Sequence, residues 1–173
     1  GDAGGVAPLV RANLLDGLGM ALAAGGHLQA AYDAQRAGLD LRLAALPPNH
    51  AQLGASFGLT GETILRAGEP GIARDALTKA LAIADANGDA LRAGRAALML
   101  AAAEAASGIP AFDRARAAEA VLAGLLPAGR PELAGTRFIA ASIALHEGRA
   151  GEALPLAEAA LADIVPRLQR AGA

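Results

Sequence analysis

Cysteine and tryptophan are absent from the 173 residues, and the aromatic side chains amount to three Phe and one Tyr. Without cysteine the chain has no disulfides and no thiolate metal ligands, which fits a reducing, cytoplasmic compartment. So few rings disfavour a compact core built on aromatic anchors and favour close helix packing on small residues. The β-branched and aromatic residues that suit strands are scarce and never alternate with polar ones over a run, so β-structure is poorly supported. Basic clusters are missing too. Fourteen of the 15 basic residues are Arg, scattered along a chain of net charge −2, so a nucleic-acid footprint is not present. The uncharged run Gly17 to Tyr32 contains Gly, His and Gln and falls short of the roughly 20 apolar residues a membrane span needs. The opening GDAGGVAP lacks the basic and apolar regions of a signal peptide, and a start on Gly rather than Met suggests a fragment of a larger parent protein.

What is present is alanine, glycine and leucine in helical spacing. At 54% hydrophobic and 18% charged the chain lies on the apolar side of soluble proteins, and with β-structure poorly supported it reads as all-α. The spacing predicts a loose Gly1 to Gly5, then a first helix from about Pro8 to Ala24 with Leu9, Leu14, Leu15, Leu18 and Leu22 on its apolar side. A second helix from about His27 to Leu46 is stopped by Pro47 and Pro48. Ala51 to Gly88 reads as a complete helical hairpin turned at Gly68, with Pro70 opening its second helix. A third hairpin runs from near Asp89 through Gly108 to about Leu126, with Ala101 and Ala120 as small packing residues. After a connector from Pro127 to Pro131, the fourth turns at Gly148; its last helix carries Ala153, Leu156, Ala160 and Leu161, with Pro155 in the first turn and a kink or end expected near Ile164, ahead of Pro166. The turn glycines Gly26, Gly68, Gly108 and Gly148 are 42, 40 and 40 residues apart. Such a period suits several α-solenoids, HEAT and armadillo arrays included.

The interior spacing is narrower. Gly61, Gly68, Ala73, Leu77 and Ala80 stand at offsets of 7, 5, 4 and 3, with Phe57, Ile64, Leu65 and Leu81 between them. Small residues lie seven before each turn glycine (Gly19, Gly61, Ala101, Ala141) and twelve after it (Gly38, Ala80, Ala120, Ala160). This pattern resembles the tetratricopeptide repeat, and LDLRLAALPPNHAQLGASFGLTG is similar to the long-period version found in kinesin light chains and in bacterial signalling proteins, including serine/threonine kinases. The chain departs from it where Leu15, Ala97 and Arg137 replace the first-helix aromatic seen at Phe57, and where Asp113 replaces an expected Ala. The resemblance implies a right-handed superhelical solenoid of about four antiparallel hairpins, eight helices in a single domain, with repeats at about 8–48, 49–88, 89–128 and 129–171.

No catalytic, cofactor or metal constellation emerges. His27, His50 and His146 are widely spaced with no HExxH pattern; Gly17, Gly19 and Gly25 make no dinucleotide fingerprint; the 17 carboxylates are spread at solvated-face spacing. The resemblance implies a non-catalytic scaffold holding a partner peptide or helix in a concave groove lined by the first helix of each hairpin. The positions so implied are Asp16, Met20, Leu59, Glu62, Met99, Phe138, Ile139 and Ser142, with Arg66 and Arg95 nearby to set orientation. The Lys and Asn residues with which some members clamp a peptide carboxylate are missing from the corresponding positions. Two other roles stay open: a regulatory array cut from a larger bacterial signalling protein such as a kinase or transcriptional regulator, and a self-assembly module in which a terminal helix stacks on another copy. The same groove positions would alternatively pack between repeats.

Overall fold

In the computed structural model the backbone is described for residues 3–171 and side chains for residues 7–165. Eight helices follow one another: α1 (Ala3–Ala24), α2 (Leu28–Ala45), α3 (Ala51–Arg66), α4 (Pro70–Ala86), α5 (Ala90–Ala106), α6 (Phe112–Leu125), α7 (Pro131–His146) and α8 (Ala150–Ala171). The chain divides into two compact units, Gly1–Ala96 and Ala97–Ala173, with the boundary inside α5. In the first unit α1 packs on α2, α2 on α3 and α3 on α4; in the second α6 packs on α7 and α7 on α8.

Each hairpin turn is built the same way. Gly26, Gly68, Gly108 and Gly148 all have positive φ, between 73° and 86°, a conformation costly for residues bearing a Cβ. The next residue returns its N–H to the carbonyl five positions back: His27 to Leu22, Glu69 to Ile64, Ile109 to Glu104 and Arg149 to Ala144, at 2.8 to 3.2 Å. This closes the helix end and reverses the chain. Pro70 and Pro131 open α4 and α7, where a missing N–H costs nothing.

The core of the first unit forms where α2, α3 and α4 meet, with Leu39, Leu53 and Ile83 buried and Leu46 and Phe57 packed against them. Gly61 is the tightest point between α3 and α4: a Cβ there would lie 2.7 Å from Leu77 Cγ. Leu77 itself is fully buried beside Ala73 and Ala80. Glycines facing solvent have no such reason to be glycine. Gly135, inside α7, has open space where a Cβ would stand. Gly135→Ala is therefore expected to stabilise the second unit by about 0.5 to 1 kcal/mol, read as a raised urea midpoint.

Several sequence expectations need correction. Helix α1 starts at Ala3, so Ala3, Gly4 and Gly5 are helical rather than loose, and Pro8 lies inside the helix; Gly1 and Asp2 fall outside the described residues. Leu14 and Leu18 do not face the core; they are 70% and 52% exposed, and Ala12, Gly19 and Ala23 are the buried positions among the described side chains of α1. Pro155 falls in the second turn of α8, not the first, and α8 continues past Ile164 to Ala171. Ala162, whose carbonyl Pro166 leaves without an N–H partner, is exposed, so water can satisfy it.

The third hairpin holds the most informative difference. Helices α2, α4 and α8 begin two residues after their turn glycine, whereas α6 begins four after Gly108, because Ile109, Pro110 and Ala111 lengthen the turn. Two extra residues rotate every later position by about 200° around the helix. Ala120 and Asp113 consequently face solvent, and Ala115 and Leu122, both fully buried, occupy the seam. The longer turn is held by Glu147, whose Oε1 accepts the backbone N–H of Ala111 at 2.6 Å and of Phe112 at 2.9 Å. Arg149 stacks over the Phe112 ring, 4.9 Å from its centroid.

Those two N–H bonds, followed by the nearby Arg149 charge, hold the Glu147 carboxyl below its ordinary value of 4.5, against the opposing pull of desolvation. A carboxylate with a depressed folded-state pKa contributes stability that is complete above its unfolded pKa and is lost as pH falls through the folded one. Glu147→Gln is thus expected to flatten the acid limb of stability below about pH 4.5 and leave the slope near pH 7 unchanged, as measured by denaturant midpoints across pH.

Candidate functional site

A shallow apolar groove of about 330 Å³ lies between α5 and α7 in the second unit. Its α5 wall is Ala102, Ala105 and Ala106, residues spaced i, i+3, i+4 and therefore on one helix face. Its α7 wall is Phe138, Ile139, Ser142, Ile143 and His146, likewise a single face. Small residues on one side and large ones on the other leave a trough. Ile143 and Ala105 are buried and form its floor, while the Phe138 ring is 66% exposed at its rim. Ser142 donates its hydroxyl to the Phe138 carbonyl at 2.9 Å, which leaves the Oγ lone pairs as acceptors at the groove edge. The lining holds neither a carboxylate nor a guanidinium, so the recognition chemistry of the groove is apolar.

Of the sequence-derived positions, Phe138, Ile139 and Ser142 come together here. Met99, half-buried on α5, stands one turn before Ala102 on the same helix. Met20 (58% exposed) on α1, and half-buried Leu59 and exposed Glu62 on α3, belong to the first unit and do not line this groove. Arg95 is exposed on the part of α5 that belongs to the first unit. Arg66 reaches back to the Ala23 carbonyl at 2.8 Å, where a cation at the last turn of α1 complements the helix dipole.

Asp16 is committed to the interior. Its Oδ2 lies 2.8 Å from Arg42 Nη1, and Arg42, 4% exposed, also donates to Ser56 Oγ and Asn13 Oδ1 at 2.7 Å each. Burial raises the Asp16 carboxyl above its ordinary 3.8 although Arg42 pulls the other way, since Oδ1 is buried without a hydrogen-bond partner. The cluster ties α1, α2 and α3 together. A second cluster does the same for the other unit: Arg137 of α7 lies 3.2 Å from Glu119 of α6 and 2.5 Å from Asp163 of α8. Asp163 accepts the Gly129 N–H of the α6–α7 connector at 3.0 Å, and Glu119 also pairs with Arg116. The second cluster was visible in the sequence only as Arg137 standing where an aromatic residue is expected, and the first left no such mark.

Among the described residues no three His, Asp or Glu side chains gather where they could hold a metal ion, and no helix is long and apolar enough to cross a membrane. No family model matches the chain, and no curated protein matches it. Solved structures do. The chain is similar to a Podosopora anserina protein assigned as a kinesin light chain with nearly identical TPR-like repeats, at 21% identity and a TM-score of 0.66 over 88% of this chain and 74% of that one. A singly substituted form of that protein matches at 21% identity and a TM-score of 0.70 over 92% and 77%. The architecture of this chain is that of TPR-like helical repeats, with eight helices in repeated hairpins among the described residues.

Proposed function

We propose that this protein is a non-catalytic scaffold that holds an apolar segment of a partner protein in the α5–α7 groove. The observation that carries the reading is the Phe138 ring, 66% exposed beside an alanine-lined trough. A large exposed ring next to an unfilled apolar depression is costly in water and is retained where a partner covers it. TPR-like repeats present successive first helices side by side, which supports a groove of this kind as the working surface. An amphipathic helix with apolar side chains at i, i+3 or i+4 fits best, because one such side chain fills the space over Ala102 and Ala106 while its neighbour stacks on Phe138.

The test is selection of peptides from a displayed library of amphipathic helices, followed by titration against the Phe138→Asp, Ile139→Asp double variant. Binding is expected to weaken at least about tenfold, or more than about 1.4 kcal/mol. Because Phe138 is exposed and Ile139 only half-buried, helicity and melting are expected to change little. Peptides that bind the variant as well as the parent chain would place the working surface elsewhere.

A further inference from the structure

Of the three asparagines in the chain, Asn13 precedes Leu14 and Asn49 precedes His50, whereas Asn87 precedes Gly88. An asparagine before glycine is the arrangement in which a side-chain amide is most open to its own backbone, because the next residue carries no Cβ to hinder the approach of its nitrogen. Both residues are exposed, in the turn between α4 and α5. The side chain is nevertheless engaged. Asn87 Nδ2 donates to the Ile83 carbonyl at 2.7 Å, on the last turn of its own helix, and to the Asn49 carbonyl at 2.9 Å, in the connector from α2 to α3. One NH2 group therefore clasps that connector to the end of α4, beside the core residue Ile83.

We propose that Asn87 and Gly88 form a self-modification site, at which deamidation turns this clasp into a repulsive contact. The Gly88 backbone nitrogen, after giving its proton to hydroxide, attacks Asn87 Cγ; the Cγ–Nδ2 bond breaks, Nδ2 takes a proton from water and leaves as ammonia, and a five-membered succinimide closes. Water then opens the ring, at Cγ to give aspartate or at the Asn87 main-chain carbonyl carbon to give isoaspartate. One water is consumed and one ammonia released, with no change of oxidation state. Aspartate puts a carboxylate where the NH2 stood, facing two carbonyl oxygens at the C-terminal end of α4, where the helix dipole disfavours negative charge. Isoaspartate adds a methylene to the main chain immediately before Gly88, whose φ of 66° shapes the turn. The closed turn restrains the reaction, since the Gly88 N–H donates to the Asp85 carbonyl at 3.0 Å and Nδ2 is held on two acceptors. The attack therefore waits for the end of α4 to fray, an opening of low free energy.

The test is incubation of the folded 173-residue chain in mildly alkaline buffer, followed by tryptic mapping. Cleavage after Lys79 and Arg92 isolates residues 80–92, which are expected to gain about 1 Da and to split into aspartate and isoaspartate forms, while the peptides bearing Asn13 and Asn49 keep their mass. The same chain unfolded in guanidinium should react at least about tenfold faster, because the restraint of the closed turn is gone. Asn87→Asp makes the product directly and should lower the urea midpoint, shifting the unfolding equilibrium at least about tenfold toward the unfolded chain. Asn87→Ala removes the clasp without adding charge and should shift it by less. Residues 80–92 that keep their mass in the folded chain, although they gain it in the unfolded one, overturn the site. An Asn87→Asp chain as stable as the parent overturns the loss of the clasp; if that variant does not fold, Asn87→Ala at parental stability does the same.

Discussion

Arg137→Ala is expected to destabilise the second unit by about 3 kcal/mol, near the lower end of the cost of removing one partner from a buried ion pair. Glu119 and Asp163 are 4% and 6% exposed, and the substitution leaves both carboxylates away from water with fewer partners. The loss is held near that lower end because Glu119 keeps Arg116, Asp163 keeps the Gly129 N–H, and Arg137 is itself 20% exposed. Replacing all three charged groups together, as Arg137→Met with Glu119→Gln and Asp163→Asn, should recover much of the stability, since no uncompensated charge then remains. The exposed pair Arg36–Asp40, with both side chains 55% exposed, is the contrast: Arg36→Ala should move the urea midpoint by less than about 0.5 kcal/mol. Equal effects of Arg137→Ala and Arg36→Ala would show that the Arg137 cluster does not hold α6, α7 and α8 together.

Gly61→Leu is expected to cost about 1 to 3 kcal/mol or more by overpacking the α3–α4 seam. Even the first added atom would stand 2.7 Å from Leu77 Cγ and 3.0 Å from its Cδ2. Leu77 cannot swing away, because it is fully buried between Ala73 and Ala80. The helices must separate instead, which opens the Leu39–Leu53–Ile83 core that the same two helices help to close. Urea melts of Gly61→Ala and Gly61→Leu should show increasing loss, opposite in sign to the gain from Gly135→Ala. A Gly61→Leu chain that melts with the parent would mean that α3 and α4 do not approach at this residue.

The parts of this fold legible without coordinates are those decided within a few residues. A glycine followed by a helix opener sets a positive-φ turn wherever it stands, so Gly26, Gly68, Gly108 and Gly148 marked the four reversals, and Pro70 and Pro131 marked helix starts. The small residues Gly61, Ala73 and Ala80 were legible for a related reason: one helical period from the turn is enough to put them on the facing side. That Phe138, Ile139 and Ser142 share one face of α7 followed from the same helical count.

What only the tertiary structure decided depends on partners distant in the chain. Two extra residues after Gly108 turned Ala120 outward and brought Leu122 into the seam, and a count from the glycine alone cannot see where the next helix begins. Arg42 and Arg137 stand at positions that look apolar by period. They are buried because Asp16, Ser56 and Asn13, or Glu119 and Asp163, converge on them from other helices. Leu14, Leu18 and Leu161 read as core by spacing, yet they are 70%, 52% and 61% exposed. Hydrophobic period reports that a face is apolar; whether water or another helix covers it is settled by what lies beyond, and that is a property of the packed array.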